Sequence, residues 1–184
     1  HRLVLGADHL GPYAWRDQPA ETAMLRALDL VRQCAAAGFQ KIHLDTGFGC
    51  ADDPPADLPL EIAAERAAVL CRAAETASER LAPGASRPLY VIGVEVPPPG
   101  GALEDPEALQ VTPVAKLQDA LRIYAARFRS AGLEAAWERV LAVVVQPGVE
   151  FGDDTVARYV GARAAALSRF HARLPGIMTY EVHS

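Results

Sequence analysis

The sequence lacks the features that mark several large classes of protein. It has no basic run interleaved with aromatic residues and its net charge is -5, so nucleic acid is not expected as a partner. No apolar stretch approaches the roughly 20 residues that cross a bilayer, so no membrane partner is expected either. No signal peptide, internal repeat or low-complexity tract is visible. What remains is a chain of 184 residues, 51% of them hydrophobic, enough for one domain with a core.

Cysteine is scarce and unevenly placed. Cys34, Cys50 and Cys71 are odd in number and form no Cys-x-x-Cys pair. A disulfide framework uses an even number of cysteines, and a structural zinc site uses paired ligands at fixed spacing. We therefore predict three unpaired, reduced thiols in a cytoplasmic protein.

Segments typical of strands alternate with segments typical of helices along the whole chain. Strands are expected within residues 2–10, 41–45, 89–95, 139–146 and 176–183. Helices are expected at about 20–37, 60–81, 113–130 and 155–173, with a short helical turn at 133–139. This alternation predicts five parallel strands that are adjacent in the order in which they occur in the chain.

The fold class that we expect is α/β. An open doubly wound sheet fits the alternation, but polar residues at the strand ends favour a TIM (β/α)8 barrel, whose site gathers there. Five strands are too few to close an eight-stranded barrel. We therefore expect residues 1–184 to be a single domain that forms part of a barrel, with flanking strands missing.

The polar strand ends supply the candidate site. Alternate residues of a strand share a face, so His43 and Asp45 point one way and the apolar Ile42 and Leu44 the other. The candidates from all five strand ends are Asp8, His9, His43, Asp45, Glu95, Gln146, Glu181 and His183. Imidazole and carboxylate groups together suit Zn²⁺ or another divalent metal. Such a metal polarises a sugar carbonyl while a carboxylic acid passes a proton, and a hydrogen-bonded polar plug without metal is the alternative.

Other polar groups carry less functional signal. Gly100 and Gly101 would let backbone approach a ligand closely, although no Walker motif is present and no nucleotide site is expected. Arg66 is expected on a solvated helix face, and Asp52 and Asp53 are expected to be loop or capping groups.

Seven segments closely resemble the Z-type subunit family of D-tagatose-1,6-bisphosphate aldolase. They are LGADHLGP (5–12), GFQKIHLD (38–45), CADDP (50–54), AERAAVLC (64–71), YVIGVEVP (90–97), VVVQPGVEF (143–151) and YEVHS (180–184). The resemblance implies a class II aldolase-like barrel and a non-catalytic subunit that supports a separate catalytic aldolase subunit. It also implies a sugar-phosphate substrate and a role in galactitol or N-acetylgalactosamine catabolism, and it leaves a homo-oligomer open.

The same resemblance brings two other activities into view. Older descriptions call family members tagatose-6-phosphate kinases, but this sequence contains no nucleotide-binding motif. Some relatives are described as metal-dependent 4-epimerases of ketose phosphates. An enzyme that interconverts tagatose 6-phosphate and fructose 6-phosphate by itself is therefore our alternative to the accessory subunit.

The resemblance also implies roles for individual residues. Related class II aldolases use a strand-end Asp-His pair, which Asp8 and His9 match, with the aspartate as proton carrier and the histidine as zinc ligand. Glu95 matches a strand-end glutamate, but Gln146-Pro-Gly148 and Glu181-Val-His183 stand where catalytic relatives carry further metal histidines. Thr46-Gly47 replaces the usual Ala-Ser. We expect Asp8 and Glu95 to be catalytic, and His9, Glu95 and His183 to bind the metal. The residues expected to bind substrate are His43, Asp45, Gln146, Glu181, Gly100 and Gly101.

Overall fold

A five-stranded parallel sheet forms the centre of the protein. The computed structural model describes residues 4–54, 58–82, 84–93, 109–151 and 156–182. Its strands are β1 (Gly6–Leu10), β2 (Lys41–Leu44), β3 (Leu89–Ile92), β4 (Val140–Val144), β5 (Glu150–Phe151), β6 (Val156–Ala157) and β7 (Thr179–Glu181). The main sheet has the order β1-β2-β3-β4-β7, and every neighbouring pair in it is parallel. The predicted parallel strands in chain order are therefore confirmed.

Helices connect the strands of the main sheet. They are α1 (Ala20–Ala36), α2 (Leu60–Ser78), α3 (Val114–Ser130), α4 (Glu134–Trp137) and α5 (Gly161–Phe170). A proline in extended backbone stands immediately before each of the first three helices: Pro19, Pro59 and Pro113. Proline fixes its own φ and has no N–H to satisfy, so it marks a sharp start. The predicted bounds of α1 to α4 are confirmed to within three residues.

The helix that was predicted to begin near residue 155 begins later, at Gly161. Val156 and Ala157, within the predicted helix, instead form β6 and pair antiparallel with β5: Glu150 pairs with Ala157 and Phe151 pairs with Val156. Val160 then caps the helix in extended backbone, with φ -117°. Hydrogen bonds to another strand hold this stretch extended, and they override its helical propensity.

The apolar core lies between the sheet and the helices. Ile42 and Leu44 of β2 are fully buried and pack in one cluster with Ala27 and Val31 of α1 and Ala67 of α2. The small alanines let these two helices approach each other and the sheet closely. The opposite face of β2 carries Lys41 and His43. On β3 and β4 the same face carries a second, small apolar cluster of Val91, Ala142 and Val144. We call it the polar face of the sheet because the buried polar side chains of β2 lie on it.

Two further predictions concern the chain as a whole. Cys34, Cys50 and Cys71 are all free, which confirms that they are unpaired. Burial raises the pKa of the Cys71 thiol to about 12, because the apolar surroundings disfavour the thiolate. Within the described parts of the chain, no helix combines the length and apolar character needed to cross a membrane.

Candidate functional site

The polar face of the sheet carries a cluster of titratable side chains at the ends of β1, β2 and β7. His43 is fully buried and Asp45, which follows β2, is 1% exposed. Buried charged groups are costly unless they are paired, so each of them needs partners. The partners come from β1 and from the residues that follow β3.

A bulge in β1 brings two consecutive side chains to this face. Ala7 pairs with Ile42 and Leu10 pairs with Leu44, so Asp8 and His9 together stand opposite His43 alone. His9 has φ 55° and is the only non-glycine residue with positive φ in the described part of the chain. In a regular strand Asp8 and His9 would point to opposite faces; the bulge removes that constraint.

The two histidines have defined hydrogen-bond partners. Nδ1 of His43 accepts a hydrogen bond from the His9 backbone N–H at 3.4 Å, so the ring proton sits on Nε2, which donates to the Gly93 carbonyl at 3.1 Å. Nδ1 of His9 lies 3.1 Å from Oδ2 of Asp45 and donates to that carboxylate. Nε2 of His9 is then the ring atom that carries a lone pair. The His9 side chain is 31% exposed.

Asp45 is fixed by the backbone around it. Its N–H donates to the Leu10 carbonyl at 3.1 Å, and the ideal Cβ position of Gly11 would lie only 1.6 Å from its carbonyl oxygen. Oδ1 of Asp45 is buried and has no hydrogen-bond partner among the described residues. The charge of Asp45 also acts on Tyr124. The pKa of the Tyr124 hydroxyl is raised to about 12, mainly by burial; a hydrogen bond with Thr46 offsets part of this effect, and the negative charge of Asp45 adds to it.

Lys41 connects both ends of the cluster. Its Nζ lies 2.8 Å from Oδ1 of Asp8 and 2.7 Å from Oε1 of Glu181. Burial lowers the pKa of Lys41, but hydrogen bonds with Asp8 and Glu181 outweigh that effect and raise the pKa above its usual value. Strands β2 and β7 are separated by β3 and β4, which in a flat sheet would put them roughly 14 Å apart. The contact therefore requires that the sheet curves around its polar face.

The side chain of Gln146 bonds the turn that follows it. Its side-chain oxygen accepts the N–H groups of Gly148 and Val149 at 2.8 and 3.2 Å, and its amide nitrogen donates to Glu150 at 3.2 Å. The backbone N–H of Gln146 donates to the side-chain hydroxyl oxygen of Thr112 at 2.8 Å. These contacts give Gln146 a role in shaping the loop after β4. The predicted contact with substrate remains a prediction.

Of the ten predicted site residues, the described structure brings five together: Asp8, His9, His43, Asp45 and Glu181. Glu95, Gly100, Gly101 and His183 lie outside the described residues. Two groups of three side chains have ligand atoms within 4.8 Å of one another: His9, His43 and Asp45, and Asp8, His43 and Glu181.

Sequence reasoning missed Lys41 and misplaced Arg66. Lys41 shares a strand face with His43 and Asp45, so the same alternation that selected those two residues could have found it. Arg66 was expected on a solvated face, but it is 7% exposed and its guanidinium bonds Asp53 at 2.7 Å. Asp53 comes from the loop after β2, and only the folded loop reveals that partner.

The donor set at His9 and Asp45 fits a divalent metal. Imidazole and carboxylate are common zinc ligands, and a ligating histidine usually donates its other ring N–H to a carboxylate. His9 has that arrangement with Asp45. The buried Oδ1 of Asp45, without a partner among the described residues, is a site that a nearby cation would satisfy. His43 fits a positioning role better, because both of its ring nitrogens are engaged.

Comparisons with known proteins give consistent results. A family model described as D-tagatose-1,6-bisphosphate aldolase subunit GatZ/KbaZ-like matches residues 1–184. The GatZ subunit of that aldolase from Klebsiella pneumoniae subsp. pneumoniae is 48% identical over 187 residues, covering 100% of this chain and 42% of the relative. Its counterpart from Salmonella dublin is 46% identical over 184 residues, covering 100% of this chain and 42% of the relative.

A solved structure is similar as well. The crystal structure of a probable tagatose 6 phosphate kinase from Sinorhizobium meliloti 1021 has a TM-score of 0.82 and 40% sequence identity. The match covers 98% of this chain and 41% of that chain. The chain thus spans about two fifths of the length of the curated relatives and of the solved structure that it matches.

Proposed function

The chain belongs to the D-tagatose-1,6-bisphosphate aldolase subunit GatZ/KbaZ-like family, and from this membership we propose that it is part of an accessory aldolase subunit. In this role it supports a separate catalytic aldolase subunit that cleaves a ketose bisphosphate in galactitol or N-acetylgalactosamine catabolism. The observation that carries the proposal is the family match along the whole chain. A sugar-phosphate substrate and a cytoplasmic location belong to the same proposal, and the free cysteines agree with that location.

We also propose that the parallel sheet is part of a TIM barrel of the class II aldolase type. Two observations support this. The strands follow one another in chain order, as they do around a barrel. The Lys41–Glu181 contact spans four strands on the polar face, as expected when that face is the inside of a closed sheet. His9, Asp45 and Glu181 then lie near the C-terminal ends of β1, β2 and β7, where barrel enzymes carry their sites, and Lys41 reaches the cluster from the first position of β2.

The proposed metal site includes His9, with Glu95 and His183 as the other expected ligands. A bound divalent metal, expected to be zinc, would act as a Lewis acid toward a sugar carbonyl. Asp45 holds the His9 ring so that Nε2 carries the lone pair, and His43 holds the bulge through the His9 N–H. Asp8 is the group expected to carry a proton, and Lys41 fixes its position at 2.8 Å.

The alternatives receive less support. The matched GatZ relatives are named as aldolase subunits, which does not favour a 4-epimerase that acts alone. The solved structure is described as a probable tagatose 6 phosphate kinase, but this sequence contains no nucleotide-binding motif that would support kinase activity.

The test is reconstitution with a catalytic subunit. The full-length protein is co-expressed with the catalytic subunit of a class II tagatose-bisphosphate aldolase, and aldolase activity and its half-life on warming are measured. We expect the two polypeptides to co-purify and the half-life to lengthen, while the full-length protein alone cleaves no tagatose 1,6-bisphosphate. An unchanged half-life would refute the proposal. Conversion of tagatose 6-phosphate to fructose 6-phosphate by the full-length protein alone would establish the epimerase instead.

A further inference from the structure

The Lys41 ammonium group contacts a cluster of side chains whose spacing is typical of a metal site. Ligand atoms of Asp8, His43 and Glu181 lie within 4.8 Å of one another, a spacing that can hold a metal ion. The Lys41 ammonium group bonds two members of this cluster, at 2.8 Å from Asp8 and 2.7 Å from Glu181. Asp8, Lys41 and Glu181 belong to β1, β2 and β7, so the positive charge of Lys41 links side chains from three strands.

We propose that the Lys41 ammonium is a built-in cation that replaces a divalent metal in the cluster of Asp8, His43 and Glu181. The two carboxylates are the groups that a divalent ion would need, and the ammonium already lies within hydrogen-bond distance of both and offsets one of their two negative charges. A metal bound to the same oxygens would stand against a positive charge at nearly the same place, and that repulsion excludes it.

The geometry of His43 supports the same conclusion. Its Nε2 donates to the Gly93 carbonyl and its Nδ1 accepts the His9 N–H, so neither ring nitrogen offers a metal a lone pair without breaking a bond. A divalent ion on this face is thereby confined to the His9 side of the cluster. This inference does not depend on the proposed function, because Lys41 excludes the ion whether or not the protein acts as an accessory subunit.

The experiment removes the built-in cation and counts bound metal ions. Mn²⁺ is the probe, because oxygen ligands suit it and the electron paramagnetic resonance signal of the hydrated ion reports the free concentration. The full-length wild-type protein and its Lys41→Met variant are titrated with Mn²⁺. We expect Lys41→Met to bind one Mn²⁺ more per chain than the wild type. The double variant Lys41→Met/Glu181→Gln, which removes one carboxylate, is expected to return to the wild-type number.

The sequence offers a matched control, since Lys116 on α3 is exposed and is the only other lysine. Lys116→Met is expected to bind as many ions as the wild type. An unchanged number in a folded Lys41→Met variant overturns the proposal, and so does an extra ion that persists in the double variant. Lys41→Gln serves as a second variant. If both single variants unfold and Mn²⁺ restores neither, the metal cannot replace the ammonium and the proposal fails.

Discussion

His9 and Asp45 are joined by a contact that sequence reasoning anticipated only in part. The alternation along β2 correctly placed His43 and Asp45 on the polar face. The partner of Asp45 depends on the bulge in β1, which turns His9 toward that face. A bulge adds one residue and so breaks the alternation of the strand, and its trace in the sequence is the pair of consecutive polar residues, Asp8 and His9, between Ala7 and Leu10. The same pair also suits a strand that simply ends at Ala7, so the sequence did not single out the bulge.

Replacement of Asp45 by asparagine tests the positioning of His9. Asp45→Asn keeps the shape but removes the charge that favours the His9 Nδ1–H tautomer. We expect the zinc affinity of the full-length protein to fall by about 10–100-fold, the usual effect of losing such an outer partner. Competition with a chromophoric chelator measures the affinity. Asp119→Asn, at an exposed position on α3, is the control and should leave the affinity unchanged. Equal affinities for Asp45→Asn and the wild type would contradict the positioning role.

Arg66 and Asp53 form an ion pair whose side chains are each only 9% exposed. Removing one member leaves the other charge buried and uncompensated, so we expect Arg66→Met to lower the free energy of unfolding by about 3 kcal/mol. Arg122→Met is the matched control, because Arg122 and Asp119 form a pair with side chains 71% and 60% exposed. Its cost should stay below about 1 kcal/mol. Urea unfolding followed by circular dichroism measures both, and equal losses would contradict the buried pair.

At the scale of elements, the regular helices and strands were predictable and their junctions were not. The bounds of α1 and α3 agree with the pattern because a proline marks each start and the apolar stripe is continuous. The predicted start of α5, near residue 155, was wrong because Val156 and Ala157 pair with β5. That pairing is a tertiary contact, and local propensity does not contain it.

The junction after β1 gives a prediction about packing between elements. Gly11 has extended backbone, with φ -172°, so its conformation suits any residue, but a Cβ there would lie 1.6 Å from the Asp45 carbonyl oxygen. We expect Gly11→Ala to destabilise the protein by about 3 kcal/mol, because the clash is with backbone that cannot rotate away. Thermal and urea unfolding measure the loss.

Gly38 provides the contrasting case. It ends α1 with φ 85°, and nothing lies within 4 Å of an added Cβ. Gly38→Ala should therefore cost only about 1 kcal/mol, the strain of a left-handed alanine. A cost for Gly11→Ala no greater than that for Gly38→Ala would show that the junction yields more easily than the geometry indicates.

At the scale of the whole molecule, the order and direction of the strands followed from the sequence, and the curvature of the sheet did not. Curvature is visible through Lys41, whose contact with Glu181 crosses β3 and β4. Strand alternation is the same in an open sheet and in a barrel, so pattern alone could not separate them. The polar strand ends favoured the barrel, and the closed form remains our proposal.

Hydrogen exchange of the full-length protein tests that closure. Within the described residues, β3 has a neighbour on both sides and β7 has one neighbour, β4. In a closed barrel β7 gains a second neighbour, so its amides should exchange within about tenfold of the rates of the β3 amides. Peptides that cover Thr179–Glu181 and Leu89–Ile92 give the comparison. Much faster exchange in β7 would indicate an open edge and contradict the barrel.

The left-handed backbone of His9 also constrains how this position can change during evolution. With φ 55°, the position favours glycine, then asparagine, aspartate and histidine on conformational grounds, and it penalises β-branched residues most. If selection for the imidazole were lost, drift would therefore stay within this small set of residues. Glycine or asparagine here in a lineage is consequently a sign that the bulge is kept while selection on the imidazole has ceased.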